Sequence, residues 1–136
     1  MPTVLLDTSG LYASLDRKDP NYRQARRYLE ESTSPTFVVT DAIFSEAMTL
    51  IKIRLGIAFA TRAGNAIRAG GPFRVHQLTA EEHDEAWGTF TRYVDKDWSY
   101  ADCSVLAIAH GLRVAQVFSF DHHFDQMQSL GVTRVP

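Results

Sequence analysis

The stretch WSYADCSVLAIA, residues 98–109, combines a helix start with an apolar face and one acid. Ser99 followed three residues later by Asp102 is a capping-box pattern, which predicts that a helix begins here. Steps of three, four and seven from Asp102 reach residues that would face a core, namely Val105, Leu106 and Ala109. Asp102 is therefore expected at the open end of a buried stripe, either as a capping acid alone or as one wall of a carboxylate pocket.

Length and composition favour a single globular domain that spans residues 1–136. Of these residues 45% are hydrophobic, which suits one domain with a sizeable core. The one cysteine, Cys103, excludes an internal disulfide and fits a reducing compartment, so a cytoplasmic location is expected. The first residues do not have the pattern of a signal peptide, and no window approaches the ~20 apolar residues of a membrane span.

The charge of the chain does not by itself indicate a nucleic-acid-binding protein. The formal net charge is −2, although most of the cations are arginines. Arginine forks match phosphate groups bidentately. Most of these arginines are nevertheless expected on solvated helix faces.

Predicted strands and helices alternate along the chain. Strands are predicted at 3–6, 36–40, 73–78, 114–119 and 132–135. Helices are predicted at 11–15, 20–31, 42–55, 57–69, 80–93, 99–110 and 122–130. Asp19, with Pro20 after it, is expected to cap the second helix, and Asp41 the third. This alternation predicts a three-layer α/β fold in which helices flank a mostly parallel sheet of four or five strands.

Four acids are predicted to meet at one edge of that sheet. Asp7 and Asp121 follow the first and fourth strands, whereas Glu46 and Asp102 lie in the first two turns of helices. Helices that follow parallel strands begin at the carboxyl edge of the sheet, where ligand sites form. The alternative for each acid is a helix cap or a surface position. For Glu46 the surface alternative is disfavoured, because this acid is expected in an apolar seam with Ile43, Leu50 and Ile53.

Clustered carboxylates repel one another, so a cluster of four needs a cation. Oxygen ligands favour magnesium, manganese or calcium, and magnesium suits a site that a substrate phosphate completes. Two such ions about 4 Å apart can activate a water and stabilise the leaving oxygen of a phosphodiester. The predicted chemistry is therefore that of a metal-dependent nuclease.

Other catalytic motifs are missing from the sequence. None of the histidines has an i, i+4 partner or a nearby cysteine pair, which argues against a zinc site, and there is no Gly-rich phosphate loop. His122 and His123 could supply the base and acid of a metal-free ribonuclease. Adjacent side chains are expected to point apart, however, and the sequence offers these two no orienting partner.

Four segments together resemble the PIN domain, and within it the VapC toxins of bacterial toxin–antitoxin pairs. They are VLLDTS at 4–9, the helix that contains Glu46, SYADCS at 99–104, and SFDHHF at 119–124. The resemblance implies a PIN-like fold and an endoribonuclease that uses Mg²⁺ or Mn²⁺. It also implies that the metal-binding, catalytic acids are Asp7, Glu46, Asp102 and Asp121, with Thr8 and Ser99 hydrogen-bonding around them.

The resemblance further implies an RNA substrate, a homodimer, and a small antitoxin that holds the enzyme inactive. Residues 42–69 carry more apolar surface than one sheet face can cover, which favours an antitoxin that binds this helix pair and the active-site groove. The alternative is that the first helices cover this surface. Two other functions stay open: a non-catalytic metal- or RNA-binding module, and a DNA-directed nuclease, since the four acids do not distinguish RNA from DNA.

Overall fold

A five-stranded parallel sheet forms the centre of the protein in a computed structural model, which describes residues 2–136. Its strands are β1 (Thr3–Leu6), β2 (Thr36–Thr40), β3 (Phe73–His76), β4 (Gln116–Phe118) and β5 (Thr133–Val135). They lie in the order β3-β2-β1-β4-β5, and each neighbouring pair is parallel. The predicted fold class is confirmed.

Helices connect the strands and cover the sheet. They are α1 (Thr8–Leu15), α2 (Tyr22–Glu31), α3 (Asp41–Leu55), α4 (Ile57–Ala69), α5 (Ala80–Arg92), α6 (Tyr100–Leu112) and α7 (His123–Gln126). Both α3 and α6 pack against β2 and against each other, while α5 packs on α6. Across residues 2–136, none of the helices has the length and apolar character that a membrane crossing requires.

β1 and α6 contribute much of the buried core. Val4, Leu5 and Leu6 of β1 are all buried, as expected for a central strand covered on both faces. Burial in α6 is broader than the predicted stripe, because every residue from Ala101 to Ala109 is buried. Packing of α3 and α5 around this helix explains the difference. Cys103 is fully buried, as predicted for a packing residue.

Two predicted helix caps and one predicted helix stop are wrong. The Asp19 carboxylate accepts the Asn21 N–H at 2.8 Å, a local turn that delays the start of α2 to Tyr22. Thr40 and not Asp41 caps α3, because its hydroxyl accepts the N–H of Ile43 at 3.0 Å. Finally, α6 continues past Gly111 and ends where Arg113 adopts a left-handed conformation, with φ of 56°.

Candidate metal centre

The four predicted acids line one cavity of about 260 Å³ at the carboxyl edge of the sheet. Asp7 follows β1 directly, and Asp121 lies just beyond the end of β4. Glu46 comes from the second turn of α3, and Asp102 from the first turn of α6. The structure thus brings these four side chains together where parallel-sheet topology predicts a site. Their role as metal ligands stays a prediction.

Asp7 is buried, and two serines hold its carboxylate. The hydroxyl of Ser9 donates to Asp7 Oδ2 at 2.7 Å, and the hydroxyl of Ser119 donates to the same oxygen at 2.8 Å. The backbone N–H of Ser9 adds a third bond at 3.2 Å, so Asp7 also caps α1. Since all three of these bonds reach Oδ2, they leave Oδ1 for a ligand. Capping and site-forming roles coexist in this acid.

Asp102 is held by the capping box that the sequence predicts. Its N–H donates to Ser99 Oγ, and its Oδ2 accepts the Ser99 N–H, both at 3.0 Å. Ser99 therefore fixes the orientation of Asp102 and is itself exposed. Thr8, the other predicted supporting residue, lines the cavity with a buried hydroxyl.

Glu46 is exposed, so the prediction that it lies in a buried apolar seam is wrong. The buried residues of α3 are instead Ile43, Ala47 and Ile51 at steps of four, and Ile53 of the predicted seam is 76% exposed. Glu46 precedes the buried Ala47 by one residue, which turns its side chain about 100° away from the core stripe on a helix. Its carboxylate consequently reaches the cavity from the solvent side.

Burial and like charge raise the pKa values of three of these acids. Desolvation raises the pKa of Asp7 from 3.8 to about 6, against the opposing hydrogen bonds from Ser9 and Ser119. Partial desolvation and the three neighbouring acids raise the pKa of Glu46 from 4.5 to about 7. Burial also raises the pKa of Asp102. The cavity therefore favours a bound proton or a bound cation over bare carboxylates.

His123 belongs to the site, which the sequence reasoning missed. Its Nδ1 lies 2.9 Å from Asp102 Oδ2 and 3.4 Å from Asp121 Oδ1. The sequence offers no visible orienting partner for this histidine, and the structure provides one in Asp102. The cause is a local turn in which Asp121 Oδ1 accepts the His123 N–H at 2.9 Å and brings the side chain back over the acids. An Asp two residues before a His is the signal that indicates this turn.

The side chains present fit a hard divalent cation. All four acids offer oxygen ligands, the type that magnesium and manganese prefer. Thr8 Oγ1 lies close enough to Glu46 to favour the charged form of that acid. The Thr8 hydroxyl is nevertheless buried and makes no hydrogen bond of normal geometry within residues 2–136. Buried polar atoms are normally paired, so a ligand or its water is the expected partner of this hydroxyl.

Proteins of Mycobacterium tuberculosis resemble the chain over most of its length, although no protein-family model matches it. The chain is 27% identical to the 23S rRNA-specific endonuclease VapC20 over 121 residues. These residues cover 89% of this chain and 91% of VapC20. It is 26% identical to the ribonuclease VapC26 over 129 residues, and these residues cover 94% of each protein.

Solved structures show the same fold. The crystal structure of VapC20, described as a toxin that cleaves the sarcin–ricin loop, matches this chain with a TM-score of 0.86 at 23% sequence identity. The match covers 97% of this chain and 98% of the VapC20 chain. A toxin–antitoxin complex from Klebsiella pneumoniae has a TM-score of 0.61 at 18% identity, with 88% of this chain and 87% of that one covered. The chain is therefore related in sequence to the VapC ribonucleases and shares the PIN-domain fold of the VapC toxins.

Proposed function

We propose that the protein is a metal-dependent endoribonuclease, the toxin of a toxin–antitoxin pair, which acts in the cytoplasm as one PIN-like unit over residues 1–136. The observation that carries this proposal is the cavity lined by Asp7, Glu46, Asp102 and Asp121. RNA as the substrate class is supported by the names of VapC20 and VapC26, an rRNA-specific endonuclease and a ribonuclease.

The four acids would hold one or two Mg²⁺ or Mn²⁺ ions. Magnesium uses few protein carboxylates and keeps several waters, which suits a site that a substrate phosphate completes. When bound, such ions lower the pKa of an attacking water and stabilise the leaving oxygen of the phosphodiester.

The protein's own residues prepare the site before the metal and the RNA arrive. Ser9 and Ser119 fix Asp7, while Ser99 and His123 fix Asp102. Ligands that are already oriented lose less conformational freedom when a ligand binds. Partial desolvation and the neighbouring acids raise the pKa of Glu46 and so favour its protonated form in the metal-free protein, and a bound cation would displace that proton.

A positively charged side chain at the cavity, that of Arg54, offers a contact for the RNA backbone. Arg54 lines the cavity, and its guanidinium lies 5.3 Å from the centre of the Tyr12 ring. Tyr12 is itself held by a hydrogen bond from its hydroxyl to Asp16 Oδ2, at 2.6 Å. Arg54 is therefore positioned to pair bidentately with a phosphate beside the acids.

The antitoxin is proposed to bind across α3 and α4. Between these helices lies a cavity of about 360 Å³, lined by Phe44, Met48 and Ile57 among others. The inner face of α3 is covered by the core, whereas Ile57 is 62% exposed and Phe59 38%. An antitoxin partner is supported by the toxin–antitoxin complex of similar fold. A homodimer is proposed as well.

The substrate class is tested by matched RNA and DNA stem-loops of one sequence, incubated with Mg²⁺ or Mn²⁺. The RNA is expected to be cut and the DNA left intact. Asp121→Asn should lose the cutting, because it removes one carboxylate charge from the cavity with little change in shape. A protein that cuts only DNA would be a DNA-directed nuclease, and one that binds RNA without cutting it would be a non-catalytic module.

A further inference from the structure

A mixed group of possible metal ligands lies at the rim of the acid cavity. One ligand atom from each of Asp121, His122 and His123 lies within 4.8 Å of the other two. Asp121 Oδ1 is 3.6 Å from His122 Nδ1 and 3.4 Å from His123 Nδ1. A tetrahedral zinc ion with bonds of about 2.0–2.1 Å separates neighbouring ligand atoms by about 3.3 Å. Two of the three spacings are close to this value, and the third is within 4.8 Å, so the group can hold such an ion after the histidine side chains adjust.

The two imidazole rings lie together although they belong to adjacent residues. Their centres are 4.6 Å apart. Asp121 Oδ1 accepts the His123 N–H, which forms a local turn. This turn folds the chain back on itself and accounts for the closeness of the two rings. His122 is 76% exposed, so an ion can enter from solvent.

Nitrogen ligands separate this group from the oxygen site beside it. Imidazole favours zinc, cobalt, nickel and copper, whereas magnesium takes oxygen ligands almost exclusively. Asp102 Oδ2 lies 2.9 Å from His123 Nδ1 and is within reach as a fourth ligand, once an ion replaces the proton that this pair shares. Two nitrogens and two carboxylate oxygens are a suitable set for four-coordinate zinc.

We propose that Asp121, His122 and His123 bind a transition-metal ion of the zinc class, and that this ion inhibits the nuclease. The inhibition rests on the proposed function, because zinc would take Asp121, and Asp102 with it, from the Mg²⁺ or Mn²⁺ site. The binding rests on the geometry of the three residues alone. A protein activated by one divalent ion would thereby be switched off by another.

Binding is tested with Co²⁺ as a coloured substitute for Zn²⁺ in the full-length protein. The wild type is expected to bind Co²⁺ with the strong visible absorption of four-coordinate cobalt, and equimolar Zn²⁺ should remove the signal. His122→Ala should weaken binding roughly 10- to 100-fold. His110→Ala, which removes a half-exposed histidine at the far end of α6, should not weaken it. Equal Co²⁺ binding by wild type and His122→Ala would overturn the site.

Inhibition is tested by RNA cleavage in Mg²⁺ with and without equimolar Zn²⁺. Zinc should slow the wild type and His110→Ala about tenfold or more, and His122→Ala should keep both its Mg²⁺-dependent rate and its activity in zinc. Equal inhibition of all three proteins would place zinc on the acids alone and overturn the proposed inhibition. If no protein cuts RNA in Mg²⁺, the proposed function fails, while the Co²⁺ titration still decides whether the metal site exists.

Discussion

His123 Nδ1 lies 2.9 Å from Asp102 Oδ2, and the same oxygen accepts the backbone N–H of Ser99 at 3.0 Å. The first residue of α7 is thereby joined to the first turn of α6. Because two partners hold this oxygen, they leave Asp102 Oδ1 for a ligand. We therefore expect His123 to act on the site through Asp102, as a positioning residue.

Replacing His123 should weaken the nuclease without removing any of the four acids. His123→Ala is expected to lower cleavage roughly 10- to 100-fold, because outer partners of metal ligands typically contribute that much. The Mg²⁺ concentration that gives half the maximal rate should rise, and His123→Asn, which retains a side-chain N–H, should recover part of the loss. His122→Ala is the control and should cut at the wild-type rate. Equal rates for His123→Ala and His122→Ala would contradict the positioning role.

Asp7 should destabilise the metal-free protein at neutral and alkaline pH. Its folded-state pKa of about 6 lies above the ordinary 3.8, so the folded protein binds the proton more tightly than the unfolded chain does. The free energy of unfolding therefore falls as the pH rises from about 4 to above 6. Asp7→Asn retains the helix cap and should be more stable than the wild type at about pH 8, by up to about 3 kcal/mol.

Thermal melts in chelator at about pH 4 and about pH 8 measure this difference. The advantage of Asp7→Asn should be small at the lower pH, where the folded wild type holds the proton and the unfolded chain is only partly ionised, and large at the higher pH. Added Mg²⁺ should stabilise the wild type more than the variant. A variant less stable than the wild type at about pH 8 would show that the Asp7 carboxylate is a net stabilising group.

Gly10 allows α1 to approach β4 closely. A Cβ atom at this position would overlap the backbone carbonyl oxygen of Phe118, which cannot move aside as a flexible side chain can. Gly10→Ala is therefore expected to destabilise the protein by about 1–3 kcal/mol and to lower cleavage, since Asp7 would move away from Ser119. In α5, Gly88→Ala meets nothing within 4 Å and should be neutral or stabilising by up to about 1 kcal/mol. Similar melting temperatures for the two variants would contradict the close approach.

Much of this arrangement follows from local sequence patterns. The apolar run of β1 and the capping box of Ser99 and Asp102 are both present as predicted, since short-range hydrogen bonds and burial determine them. The common edge of Asp7 and Asp121 follows from the parallel order of the strands. Such features depend on neighbours in the chain or on topology.

Other features depend on tertiary packing and could not be predicted in this way. Steps of three and four along α3 allow more than one buried stripe, and packing against the sheet and α4 selects the stripe with Ala47 instead of the one with Glu46. The position of His123 requires both the turn at Asp121 and the approach of α6. Two adjacent histidines in a sequence carry no information about that approach.

Two exposed isoleucines test the proposed antitoxin surface as a matched pair. Ile57 lines the cavity between α3 and α4, whereas Ile53 is 76% exposed and does not line it. Ile57→Ser should weaken inhibition by the co-expressed antitoxin about tenfold or more, because it removes apolar area from the interface. Ile53→Ser should leave inhibition unchanged, and nuclease assays with added antitoxin measure both. Equal effects of the two changes would place the antitoxin elsewhere.

The most direct test of the acid cavity is the metal dependence of RNA cleavage together with the chemistry of the product ends. The wild type is expected to cut RNA in Mg²⁺ or Mn²⁺, to stop in chelator, and to leave 5′-phosphate and 3′-hydroxyl ends, because a water attacks the phosphodiester. Asp7→Ala should abolish the cutting. Cleavage that persists in chelator, or products that end in a 2′,3′-cyclic phosphate, would mean that the RNA 2′-hydroxyl is the nucleophile and would contradict the account.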